Sequence, residues 1–159
     1  MPWGAGFGSN PRKARAPESS CFCPSPMEER MSKSQKFPKI LIVDDDYSFA
    51  AYAKMLLELR RCETSICLDG RAALQSALRE KPDLILMDMN LQACKGTDAI
   101  RILKSNPETE NIPILLCSIT HSRAEVQEAL DTGAADFLPK PLKIEALMGK
   151  VDGLLDIHE

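Results

Sequence analysis

The chain has 159 residues, 44% of them hydrophobic and 27% charged, with a net charge of −3. That is enough chain for one domain with a full core, and short for two. No apolar run approaches the ~18 residues of a membrane-spanning helix. The N-terminus lacks the apolar stretch of a secretory signal, so the expected location is the cytosol.

Charge divides the chain in two. Residues 1–37 carry six Lys/Arg against three Glu, whereas the remainder carries fourteen Lys/Arg against twenty acidic residues. The acidic part has no basic stripe, which argues against nucleic acid as a partner. Residues 1–37 also hold five of the eleven prolines, with Gly, Ser and Arg between them. They read as a disordered extension, passive in function, ahead of a domain over 38–159. Cys21-x-Cys23 has no nearby Cys or His pair to complete four metal ligands. Met27 and Met31 offer alternative translation starts.

From residue 38 strands and helices alternate. A strand over 38–44 leads to a helix near 47–60, whose apolar face carries Phe49, Ala53, Leu56 and Leu57. Asp46 is placed to cap that helix. A weaker strand follows at 63–68, then a helix over 71–80 that Lys81-Pro82 ends. The third strand is 83–88, and Leu91–Lys95 form a loop. A helix opens at Gly96 or Thr97 and runs to about Ser105, where Asn106-Pro107 stops it. Strand four covers 112–118. The next helix spans 122–132 with Gly133 as its C-cap, and strand five is 135–138. In the last helix, 142–157, Ile144, Leu147, Met148, Val151, Leu154 and Leu155 share one face. Five βα alternations imply an α/β fold, a parallel sheet with helices on both faces and right-handed crossovers.

Five side chains stand at or just past the ends of these strands: Asp44, Asp45, Asp88, Ser118 and Lys140. In an open parallel sheet ligands bind at the carboxyl ends of the strands, so the five are expected to converge. Three clustered carboxylates repel one another and raise each other's pKa unless a cation compensates. Mg²⁺, hard and satisfied by a few oxygen ligands plus water, suits them. A metal site alone gains nothing from a neighbouring ammonium. A phosphoryl group transferred to a carboxylate does, because its equatorial oxygens need neutralising by the ion, Lys140 and Ser118. Asp88 stands alone at its strand end and is the expected nucleophile.

These motifs resemble the receiver domain of two-component response regulators, over about residues 38–157. The resemblance rests on Ile42-Val43-Asp44-Asp45-Asp46, Leu86-Met87-Asp88-Met89-Asn90, Gly96, Ser118 and Phe137-Leu138-Pro139-Lys140-Pro141. The spacings of 30 residues from Asp88 to Ser118 and 22 from Ser118 to Lys140 fit that family. It implies a flavodoxin-like, doubly wound sheet of five strands in the order 2-1-3-4-5 with five helices. It also implies Mg²⁺-dependent phosphorylation of Asp88 by a histidine kinase or phosphotransfer protein, the domain catalysing only its own phosphorylation and dephosphorylation. The Asn90 backbone carbonyl would join the metal, and its side chain would tune dephosphorylation. Ser118 and Phe137 would move as a switch, and a cis peptide would precede Pro141. The partner face would be made by the fourth helix, fifth strand and last helix.

Two departures from the family stand out. Gln92 occupies a position commonly held by Pro, which predicts a looser Leu91–Lys95 loop. Ile119 follows the switch hydroxyl where a small residue is usual, and would narrow access to the site. Thr120-His121 opens the fourth helix as a cap. With no output domain after Glu159, a stand-alone regulator acting through protein contact is expected. Gly149-x-x-x-Gly153 would permit a close helix contact in a homodimer. Two other readings differ in class: a receiver-like adaptor that is rarely phosphorylated, and a phosphohydrolase of the haloacid dehalogenase type. The latter needs Asp-x-Asp at the nucleophile, and Asp88-Met89-Asn90 lacks the second acid.

Overall fold

Near-continuous burial along the three central strands sets the architecture. A computed structural model describes residues 36–119 and 122–156. The expectations for the N-terminal extension, Cys21-x-Cys23, Met27, Met31 and Thr120-His121 fall outside the described residues. The elements run β1 (Lys39–Val43), α1 (Tyr47–Glu58), β2 (Glu63–Cys67), α2 (Ala73–Glu80, entered through a 3₁₀ turn at Gly70–Ala72), β3 (Leu84–Asp88), α3 (Gly96–Lys104), β4 (Ile114–Ser118), α4 (Arg123–Thr132), β5 (Asp136–Pro139) and α5 (Ile144–Leu154). All five strands are parallel, in the order β2-β1-β3-β4-β5. The fold is the expected one.

The period of two along a strand sends alternate side chains to opposite faces. Ile40, Ile42, Leu84, Leu86, Leu115 and Cys117 therefore pack with Ala53 and Leu57 of α1 and Leu147 and Val151 of α5. Leu41, Val43, Ile85, Met87, Ile114 and Leu116 pack with Ala77 of α2, Ile100 and Leu103 of α3 and Ala129 of α4. Fully burying each such Leu or Ile contributes roughly 1.5–3 kcal/mol. Helices on both faces explain why β1, β3 and β4 are apolar almost without interruption.

Local signals fix where helices start and stop. The Asp46 side chain accepts from the Ser48 and Phe49 N–H groups, capping α1. α2 ends at Lys81, whose φ of 50° is left-handed and whose N–H reaches the Ala77 carbonyl before Pro82. Gly133, with φ 132°, closes α4 by donating to the Ala129 and Leu130 carbonyls. α5 is shorter than the apolar pattern suggests: Leu142 is buried ahead of the helix, and Leu155 serves as its C-cap.

Candidate functional site

Each central strand delivers one polar residue to the same edge of the sheet. Asp88 and Ser118 are the last residues of β3 and β4, Asp44 follows β1, and Lys140 follows β5. A backbone bond from the Lys140 N–H to the Ser118 carbonyl, 2.9 Å, ties the start of the β5–α5 loop to β4. All five sequence-selected residues thus lie at the carboxyl edge. Asp44, Ser118 and Asp88 are buried there, at 1%, 0% and 8% exposure, which is costly for polar groups without partners.

The partners are specific. Lys140 Nζ lies 2.8 Å from Asp44 Oδ2 and 3.4 Å from Asp88 Oδ1. Asp44 Oδ1 accepts from the Asp46 N–H at 2.8 Å. Asn90 Nδ2 donates to Ser118 Oγ at 3.3 Å. Among the described residues, Asp44, Asp45 and Asp88 each offer a carboxylate oxygen within 4.8 Å of the others. Hard oxygen donors at that separation fit a hard divalent cation.

Burial pushes the Asp44 carboxyl above the usual carboxylate range, against the hydrogen bonds from Lys140 and the Asp46 N–H and the charge of Lys140; the Asp88 charge adds least. The sequence-based expectation of mutual carboxylate repulsion therefore names a minor contributor. Burial pulls the Lys140 ammonium down, yet its bond to Asp44 and the charges of Asp88 and Asp44 outweigh this and lift it above the ordinary lysine value. The two directions are compatible. Lys140 answers to two carboxylates, whereas Asp44 has one ammonium and a second carboxylate beside it.

Gly96 is required by space: a Cβ there would lie 2.8 Å from Met89 Cα and 2.9 Å from the Asp88 carbonyl oxygen. At Gln92, where the departure from proline predicts a looser β3–α3 loop, the main chain has a partner. Gln92 N–H donates to Asp45 Oδ2 at 3.1 Å, a bond proline has no hydrogen to make. Arg71 Nε reaches the Ala93 carbonyl, and Asn90 bridges Lys95. Phe137 is half-buried against the second core cluster, paired in register with Leu116. The Lys140–Pro141 peptide is cis. Ile119 is 71% exposed beside Ser118.

Sequence reasoning missed one neighbour. The ring of Phe49 lies 3.8 Å from Lys140 Nζ, measured to its centroid. Helical periodicity placed Phe49 on the apolar face of α1, and nothing in its spacing announced an ammonium above it.

The chain is similar in sequence and structure to known regulators. The family model for the response regulator receiver domain matches residues 40–152. Response regulator PleD of Caulobacter vibrioides is 34% identical over 116 residues, 73% of this chain and 26% of PleD. DNA-binding response regulator MtrA of Mycobacterium tuberculosis is 32% identical over 113 residues, 71% of this chain and 48% of MtrA. The chain thus spans about a quarter to a half of these curated relatives. Chemotaxis response regulator CheY4 of Vibrio cholerae superimposes with a TM-score of 0.70 at 28% identity, covering 75% of this chain and 99% of that one. With strand order, acidic edge and sequence in agreement, the chain belongs to the response regulator receiver domain family.

Proposed function

We propose that this domain, residues 38–159, is a phosphorylation switch whose acceptor is Asp88. An Asp88 carboxylate oxygen attacks the phosphorus of a phosphohistidine on a histidine kinase or phosphotransfer protein. The P–N bond breaks, and the imidazole keeps the electron pair and takes up a proton. The observation that carries this reading is the placement of buried Asp88 within 3.4 Å of the Lys140 ammonium and beside two further carboxylates.

Asp44, Asp45 and Asp88, with the Asn90 main-chain carbonyl, would hold a magnesium ion, which would supply positive charge to offset the transferring oxygens. Lys140 contributes a second positive group at the same place. Ser118, now bonded to Asn90, turns its hydroxyl to a transferred oxygen. Phe137 turns inward behind it, and the surface of α4, β5 and α5 repacks for a downstream protein partner. Physically this is a two-state equilibrium biased by new local charge. Asn90, two residues past the acceptor, and Ile119, next to Ser118, would tune the lifetime of the phosphoryl group. No helix among the described residues is long and apolar enough to cross a membrane.

The test is intact mass after incubation with acetyl phosphate and Mg²⁺. A gain of one phosphoryl group is expected from the native chain, and none from Asp88→Asn or with the ion chelated. Failure of the native chain to gain mass and to bind beryllofluoride, a phosphoryl mimic, would remove the switch. An unphosphorylated adaptor would take its place.

A further inference from the structure

We propose that Phe49 is the positioning residue for the Lys140 ammonium, an inference that rests on the phosphoryl-transfer reading above. Four residues form a closed circuit of contacts at the carboxyl edge of the sheet. Asp44 accepts from the Asp46 N–H through Oδ1. Asp46 in turn accepts from the Ser48 and Phe49 N–H groups, which sets the first turn of α1 and the direction in which Phe49 leaves it. The Phe49 ring lies 3.8 Å from Lys140 Nζ. Lys140 closes the circuit on Asp44 Oδ2 at 2.8 Å.

The ammonium is therefore held between two anions and an aromatic ring. Its bond to Asp44 is short and its approach to Asp88 is longer, 2.8 Å against 3.4 Å. Left to electrostatics and water alone, the flexible lysine stem could settle wholly on Asp44 or hydrate outward. The ring opposes both. Its negative face attracts the cation, and its bulk keeps water from that side, leaving the Lys140 side chain only 13% exposed. Phe49 is anchored for this task, since its other contacts are with the core cluster shared by α1, α5 and the sheet. An aliphatic residue would fill the space without offering the cation a partner. The ring never touches the transferring group; it acts through Lys140.

The experiment compares the full-length native chain with Phe49→Leu and Phe49→Tyr, each checked for native circular dichroism. Lysine is labelled with ¹³C at Cε, and the Lys140 signal is assigned through Lys140→Arg. In the native chain the Lys140 ε-protons should be shifted upfield by the ring, in Phe49→Leu they should return to the ordinary lysine position, and in Phe49→Tyr they should stay upfield. Phosphorylation by acetyl phosphate at saturating Mg²⁺ should slow about fivefold in Phe49→Leu. Phe49→Tyr should restore the rate to within about twofold, since its ring presents a similar face.

An unshifted Lys140 signal in the native chain would overturn the inference. So would a Phe49→Leu rate equal to the native one, or a Tyr variant as slow as the Leu variant, which would mark a packing role only. If the native chain takes neither phosphoryl nor beryllofluoride although its Lys140 signal is shifted, the phosphorylation reading itself fails and the positioning role falls with it.

Discussion

Cys117 stands one residue before the end of β4 and is paired in register with Asp88. Its thiol is 1% exposed, and burial pushes its pKa up to about 12; Lys140 lowers it, while Asp88 and Asp44 raise it further. The ordinary thiol value is 9.0, so between pH 9 and 12 the unfolded chain loses this proton before the folded one does. Stability from this group is thus intact below pH 9 and falls as pH rises through that window. At about 1.4 kcal/mol per unit, the native chain should lose roughly 2–3 kcal/mol more than Cys117→Ala between pH 9 and 11. Urea unfolding of both chains across that range checks this, and parallel pH profiles would contradict it. At this scale legibility depended on chemistry. Asp44, Asp45, Asp88, Ser118 and Lys140 were readable because each is a polar residue ending an apolar run. Phe49 was not, because an apolar residue on an apolar helix face gives no sign of a cation above it. The Gln92 bond to Asp45 was hidden for another reason: its donor is a main-chain N–H, which every residue except proline carries.

Elements follow the same logic of signal strength. β1, β3 and β4 were plain because burial on both faces demands unbroken apolar runs. β2 read weakly because, at the sheet edge, Thr64, Ser65 and Ile66 are only half-buried and Glu63 is exposed. α4 buries Ala129 alone, so its apolar face was faint and Gly133 was the better marker of its end. α5 carries an internal conflict, two glycines within a helix. A Cβ added at Gly149 or at Gly153 would meet nothing within 4 Å, and both positions are exposed. Backbone freedom is then their only effect in the single chain. Gly149→Ala with Gly153→Ala should raise unfolding stability by about 1–2 kcal/mol, shifting the urea midpoint at constant slope. The same pair tests the homodimer expectation. If the glycines admit a second copy, the substituted chain will instead lose stability in a concentration-dependent way, and sedimentation will show a dimer of the native chain only.

The whole domain can be viewed as a device that brings a pair of adjacent acids, Asp44 and Asp45, to a third, Asp88, distant from them in the chain. Residues 44, 45 and 88 meet only when β1 and β3 pair, in the register that sets Val43 beside Met87. The gathering opposes folding on its own, since burial raises the Asp44 pKa and the charged carboxylate is correspondingly disfavoured. An ion that binds the gathered set and not the unfolded chain returns stability as RT ln(1 + [L]/Kd), about 2.7 kcal/mol at a hundredfold excess over Kd. For a domain of this size that is a rise in melting temperature of about 10 °C. Mg²⁺ titrated against thermal unfolding should therefore raise Tm logarithmically once past Kd, whereas NaCl at equal ionic strength should raise it far less, since screening weakens repulsion without binding. Asp45→Ala removes one donor while leaving the Lys140 contacts to Asp44 and Asp88 in place. That chain should need a higher Mg²⁺ concentration for the same rise. A flat response of the native chain would separate the fold from the metal: the acidic edge would then be an electrostatic burden relieved by Lys140 and the Asp46 and Gln92 N–H groups, and phosphoryl transfer would have to proceed without the ion.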